Sequence, residues 1–153
     1  MTSVNEECMA DPRHIGQLLW AALRRARRDG MDLLASDPEA TESLTASHAR
    51  LLDHLPPDGA RVTDLAARLR ITKQALGQLA GQLTDRGVVE IVADPNDGRA
   101  KLIRCTARGE RAQAAIHTTT QKLEDRWRAE VGDARYAVFR EVLVALGEAG
   151  PQK

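Results

Sequence analysis

Aromatic residues are scarce in this chain: two Trp, one Tyr and one Phe, 3% of 153 residues. That leaves too few ring faces for the stacked-base platforms that hold single-stranded nucleic acid. Cysteine is almost absent as well. Cys8 and Cys105 lie far apart, so no disulfide framework is expected to hold the fold together. No stretch approaches the roughly 18 consecutive apolar residues of a membrane helix. The opening MTSVNEECMADP has neither the basic head nor the apolar middle of a signal peptide. The expectation is a soluble, cytoplasmic protein with no membrane partner. Catalytic signatures are missing too: there is no Gly-x-Ser-x-Gly elbow, no phosphate loop and no carboxylate pair with an evident pocket. His14, His48, His54 and His117 are scattered without metal-ligand spacing. No enzyme activity, catalytic residue, metal or cofactor is expected. Cys8 stands beside Glu6 and Glu7, whose charges disfavour a thiolate, so a redox role is not expected there. Cys105 reads as core filler.

What is present is material for one folded domain: 42% hydrophobic and 29% charged residues, in a chain of ordinary domain length. The 22 basic and 22 acidic residues cancel overall, yet they are unevenly spread. Asp11 to Arg28 holds five basic residues against one acidic, Asp29 to Asp58 one against seven, and Arg61 to Arg104 eight against five. Any polyanion site must therefore be local.

Apolar residues at three- and four-residue steps predict a first helix from about Pro12 to Ala35, along Ile15, Leu18, Leu19, Ala22, Leu23 and Ala26. Arg24, Arg25, Arg27 and Arg28 around it read as a solvated face, and Trp20 and Trp127 as core residues. Ser36-Asp37-Pro38-Glu39 is a break. Thr45 is placed to cap a second helix, Ala46 to Leu55, ended by Pro56-Pro57-Asp58-Gly59. Two short helices follow: Asp64 to Leu69, with Thr63 as its expected cap, and a helix from Thr72 to about Asp85, stopped at Gly87. Arg70 and Ile71 form the turn between them. After Gly87 the period becomes extended. Val88 to Val92 and Lys101 to Cys105 read as strands, joined by the turn formers Ala93 to Ala100. Helix resumes after Thr106 along Ile116, Thr120, Leu123, Trp127 and Val131, breaks at Gly132, and ends in a helix carrying Val138, Phe139, Val142, Leu143 and Leu146.

Helix, short turn, helix and hairpin is the layout of a winged helix-turn-helix, whose second helix enters the DNA major groove. Opposite the stripe Leu76, Leu79, Ala80 and Leu83, that helix carries Gln74, Gln78, Gly81 and Asp85, flanked by Gly77 and Gln82. Glutamine offers the donor and acceptor that match the N6 and N7 edge of adenine, and glycine lets the helix approach closely. Thr72 and Lys73 stand at the helix start, where backbone amides favour phosphate. At the hairpin tip Arg99 is placed for a minor groove, Asp97 to orient its guanidinium, and Lys101 for a phosphate. The expected DNA-binding residues are therefore Thr72, Lys73, Gln74, Gly77, Gln78, Gln82, Asp97, Arg99 and Lys101.

From about Leu44 to Gly109 the sequence resembles the MarR family of dimeric winged-helix transcriptional regulators. The resemblance rests on Ile71-Thr72-Lys73-Gln74-Ala75-Leu76-Gly77-Gln78-Leu79 and on Asp94-Pro95-Asn96-Asp97-Gly98-Arg99-Ala100-Lys101, followed by Thr106-Ala107-Arg108-Gly109. Gly98 departs from it, standing where many relatives carry a further arginine. So do Gly81 and Gln82, where an acidic and often a basic residue are usual. The resemblance implies an intertwined homodimer, a ligand pocket between its dimer and DNA-binding layers, and a repressor released by a small aromatic or acidic effector. A dimer also follows from the terminal helices, which carry more apolar surface than one wing domain can cover. The expected fold is mainly α with a small β-hairpin wing. Its parts are an N-terminal tail (1–10), an N-terminal dimerisation helix and linker (11–43), a winged helix-turn-helix domain (44–109) and C-terminal dimerisation helices (110–153). The partner is double-stranded DNA with a pseudo-palindromic operator. A protein-interaction module, or a small-molecule-binding protein without operator contacts, are the alternatives.

Overall fold

The computed structural model describes residues 13–36 and 44–148. Cys8, the N-terminal tail and most of the expected break at 36–39 lie outside the described residues. Among the described residues, six helices and three short strands run in the order α1 (Ile15–Leu34), α2 (Ala46–Asp53), β1 (Ala60–Arg61), α3 (Val62–Leu69), α4 (Lys73–Asp85), β2 (Val89–Asp94), β3 (Asp97–Cys105), α5 (Ala107–Val131) and α6 (Asp133–Glu148). The architecture is mainly helical, with an antiparallel sheet of order β1-β3-β2.

The core sits where the leucine stripes of α2, α3 and α4 meet the inner face of the sheet. Leu51, Leu52, Leu65, Leu69, Leu76, Leu83, Val88, Val89 and Ile103 are fully buried there, and Ala112 and Ile116 close it from α5. Helix ends inside this layer are satisfied by long side chains, because the last carbonyls of a helix have no partner within it. Arg50 donates to the Leu69 carbonyl, Arg68 to that of His54 and Arg108 to that of Arg86. The Gln113 amide donates to both Leu52 and Leu55 carbonyls, at 2.8 and 2.7 Å.

Local expectations fare unevenly. Thr45 and Thr72 cap α2 and α4, accepting from the His48 and Ala75 amides. Thr63 is not a cap. α3 begins two residues earlier, straight out of β1, with Arg61 as its N-cap, and the Thr63 hydroxyl donates to Asp64 instead. β1 is unforeseen. Gly59, at φ +82°, turns the chain into it, and a Cβ there would stand 2.7 Å from the Ile103 carbonyl oxygen. Ala60 and Arg61 then pair with Ile103 and Leu102. The eight-residue turn expected over Ala93 to Ala100 is also shorter in the structure. β2 runs on to Asp94 and β3 starts at Asp97, with only Pro95 and Asn96 between them. The register shifts from Ala93↔Lys101 to Asp94↔Asp97, so Gly98, Arg99 and Ala100 are extra on β3 and bulge outward.

The outer helices leave much apolar surface uncovered in the single chain. Ile15, Leu19, Trp20 and Leu23 of α1 are exposed, as are Val138, Val142, Leu143, Val144 and Leu146 of α6, with Leu146 at 64%. Trp20 is therefore not core; its ring lies under the Arg24 guanidinium, 4.8 Å from centroid to carbon. Nor is the arginine group of α1 simply solvated. Arg25 forms a two-pronged ion pair with Glu130 of α5 and bonds Asp29, fixing α1 against α5. Burial pushes the Asp29 carboxyl up, but hydrogen bonds from Arg25 and Arg28 outweigh it and hold the group below the usual carboxylate range. Trp127 is half-buried, its Nε1 sealed by the chain without a hydrogen-bond partner. No described helix is long and apolar enough to cross a membrane.

Candidate nucleic-acid interface

α4 is set by the turn before it. Arg70 adopts φ +53°, the left-handed conformation, and the Ile71 amide returns to the Ala66 carbonyl at 3.0 Å. A non-glycine residue there costs about 1 to 2 kcal/mol. Arg70 is exposed beside the α4 N-terminus, a cation whose local sequence marks it only as part of a turn. From Thr72 onward, Leu76, Ala80 and Leu83 are buried and their opposites are not. Lys73, Gln74, Gly77 and Gln78 are exposed, and the Gln74, Gln78 and Lys73 side chains have no hydrogen-bond or ion-pair partner among the described residues. A Cβ added at Gly77 or Gly81 would meet nothing within 4 Å. These two glycines serve no internal contact, although each costs a helix about 0.8 to 1.0 kcal/mol relative to alanine.

Gln74, Gln78 and Gln82 follow one another at four-residue steps, each turned about 40° further round the helix axis. Gln82 is consequently swung toward α2, and its fate differs from that of the other two. Its Oε1 lies 2.7 Å from Nε2 of His48, a residue only 1% exposed. Sequence reasoning assigned no role to His48, and no spacing rule links positions 34 residues apart.

At the wing, Arg99 and Lys101 are exposed, and their side chains have no described partner. Asp97 does not reach the Arg99 guanidinium. It accepts from the Arg99 backbone amide at 3.1 Å, fixing the bulge instead of the side chain. Other cations nearby are occupied: Arg104 bonds Glu90, and Arg61 bonds Asp94 at 2.6 and 2.7 Å.

Asp94, read from sequence as a turn former, is the wing's anchor. It is 5% exposed and accepts from the Asn96 amide at 2.8 Å as well as from Arg61. The Asn96 amide, aided by Arg61 and opposed by burial, holds its carboxyl below the usual carboxylate range. Because the folded value is depressed, the stabilisation is complete above the unfolded value, near 3.9, and is lost as pH falls through the lower folded value. Asp94→Asn is thus expected to lower the melting temperature by a constant amount above about pH 5, with the gap to wild type closing at lower pH. A gap that persists undiminished in acid would sever the effect from this carboxylate.

Among the described residues no group of three or more His, Cys, Asp or Glu side chains is placed to hold a metal ion. Cys105 is half-buried against the core, and burial, followed by Glu110, pushes its thiol up.

Residues 43–100, from just before α2 through the wing tip, match the sequence model of the MarR family. That segment is therefore similar in sequence to the MarR family. Solved structures of transcriptional regulators are similar in fold over most of the chain. The PcaV transcriptional regulator from Streptomyces coelicolor, in complex with its natural ligand, is 20% identical with a TM-score of 0.71, over 89% of this chain and 93% of that one. A MarR-family regulator from Rhodococcus sp. RHA1 is 18% identical with a TM-score of 0.72, over 98% and 100%. A cysteine-to-serine mutant of MarR from E. coli, complexed with operator DNA, is 19% identical with a TM-score of 0.72, over 86% and 92%. No curated protein matches the chain. The flanking helices α1, α5 and α6, which lie outside the matched segment, are thus part of a MarR-type architecture by fold alone.

Proposed function

We propose that this chain is a homodimeric, sequence-specific DNA-binding regulator that represses transcription and is released by a small-molecule effector. The observation that carries the reading is the face of α4. Gln74 and Gln78 are exposed and unpartnered on a helix whose other side is buried, with close approach permitted by Gly77 and with Lys73, Arg99 and Lys101 as available cations. Residues 44–109 form the reading unit, and α1, α5 and α6 the dimer layer. The uncovered apolar faces of α1 and α6 support that layer, since a second copy would bury them. A two-fold dimer presents its recognition helices about 34 to 36 Å apart and asks for a pseudo-palindromic site.

Effector control is supported by a cavity of about 210 Å³ at the junction of α1, α2 and α5, lined by Met31, Leu34, Ile116 and Leu123 together with the charged Arg27, Arg50 and Asp53. Such a site suits a small aromatic acid, as apolar walls with few polar groups are the usual make-up of ligand pockets. The ligand releases DNA only insofar as it binds the non-matching dimer geometry better.

The test is selection of bound sequences from random duplex DNA, followed by affinity measurements on the selected site. Gln78→Ala is expected to cost about 1 to 3 kcal/mol and to relax preference at its position, whereas Lys101→Ala weakens all sequences alike. Roughly four to six neutralised phosphates per dimer give a log-log salt slope near −4 to −5. A slope near zero, or equal losses on selected and random DNA for Gln78→Ala, would contradict the site.

A further inference from the structure

The direction of every hydrogen bond around His48 is determined by one donor. The Thr45 backbone amide points at Nδ1 of His48, 3.2 Å away. A backbone N–H can only donate, so Nδ1 is an acceptor, and the proton of the neutral ring resides on Nε2. Nε2 in turn lies 2.7 Å from Gln82 Oε1, which must then be the accepting carbonyl end of the amide. With the ring 1% exposed, bulk water has little access to compete for either nitrogen. Gln82 itself is exposed. One of the two lone pairs of its oxygen is engaged by the ring, which turns the oxygen toward α2, and its NH2 has no partner among the described residues.

We propose that His48 is a positioning residue for DNA recognition, holding the Gln82 carbonyl toward α2 so that Gln82 meets the duplex chiefly through its NH2. The inference rests on the operator-binding reading above. Gln74 and Gln78 have donor and acceptor both unengaged and match adenine N6 and N7; in Gln82 the oxygen that this pairing needs is turned to His48, which disfavours it. Its NH2 seeks acceptors: guanine O6 or N7, thymine O4, or a phosphate oxygen. Of three glutamines on one ridge, two therefore read one pattern and the third another. The distinction arises in α2, outside the recognition helix.

Two measurements test this. Nitrogen-15 spectra of the free, full-length protein should show the His48 ring protonated at Nε2 and unprotonated at Nδ1; the opposite tautomer overturns the proposal. Sequence selection and operator affinity are then compared for wild type, His48→Leu, His48→Gln, Gln82→Ala and the His48→Leu/Gln82→Ala pair. Removing one such bond predicts a roughly three- to tenfold loss for Gln82→Ala. If the acceptor is a base edge, the loss falls on one symmetric pair of positions; if it is phosphate, it is uniform over sequences. His48→Leu should admit adenine where wild type selects guanine or thymine. His48→Gln, which keeps a donor near the Nε2 position, should restore the wild-type preference. In the Gln82→Ala background His48→Leu should change base preference no further, a null that a purely structural role for His48 would not produce. Should His48→Leu fail to fold, the exposed Gln82→Ala still decides: wild-type affinity and selection in that variant overturn the proposal. If wild type selects no sequence at all, the operator reading falls and this one with it. The tautomer then shows whether the internal arrangement was right.

Discussion

Glutamates at both Val138 and Val142 are expected to leave a folded chain that no longer dimerises and no longer holds its operator. Val138, Val142 and Leu146 stand at four-residue steps on α6 and are 59%, 48% and 64% exposed in the single chain. Charge at the first two positions therefore costs the protomer little. In a dimer that seals this ridge the same carboxylates would be desolvated without partners, twice over by symmetry, at several kcal/mol for each buried ion. Dimer affinity should fall at least about a thousandfold, the equivalent of roughly 4 kcal/mol. Operator binding should fall with it, because each protomer then meets only a half-site. Sedimentation equilibrium checks the first effect and fluorescence anisotropy with labelled operator the second. A double variant that sediments as a dimer at micromolar concentration would place the subunit interface elsewhere.

Gly109→Ala is expected to be the most damaging single methyl group in the wing domain. A Cβ at this position would sit 2.0 Å from the Val88 carbonyl oxygen and 3.1 Å from its carbon, both backbone atoms with no rotamer to escape into. That carbonyl is itself held, accepting from the Thr106 amide and hydroxyl at 3.1 Å each. The first turn of α5 would have to lift off the base of the sheet. Overpacking a well-filled interior costs typically 1 to 3 kcal/mol. With a main-chain obstacle the upper end is expected, a fall of roughly 10 °C or more in melting temperature. Gly77→Ala supplies the contrast. Nothing lies within 4 Å of its added carbon, so it should stabilise the protein by up to about 1 kcal/mol while weakening operator binding. A Gly109→Ala protein melting within about 2 °C of wild type would show that the junction yields more easily than its geometry indicates.

Patterns confined to one element were readable in the sequence. The leucine spacing of α2 to α4, the caps at Thr45 and Thr72, and the stop at Gly132 all depend on neighbours within four residues. Contacts across elements were not. β1 has two residues and no period to detect, and it forms because Gly59 passes close under Ile103. The ion pair of Arg61 with Asp94 joins residues 33 positions apart. Asp97 was assigned to the Arg99 guanidinium on proximity in sequence, but the bulge gives its carboxylate the Arg99 backbone amide instead. For the glutamine ridge, helical arithmetic correctly opposed Gln74 and Gln78 to the leucines. It could not reveal that Gln82, 80° further round, meets a histidine of another helix.

The Gln113 amide grips the tail of α2 through two carbonyls at once, about a quarter of the way along a 25-residue helix whose far end adjoins α6. α5 is thus a lever with its fulcrum inside the reading head. In the dimer proposed above, tilting its outer end by a few degrees would carry α2 along, and with α2 the ring beside Gln82, which would gear subunit spreading to base discrimination.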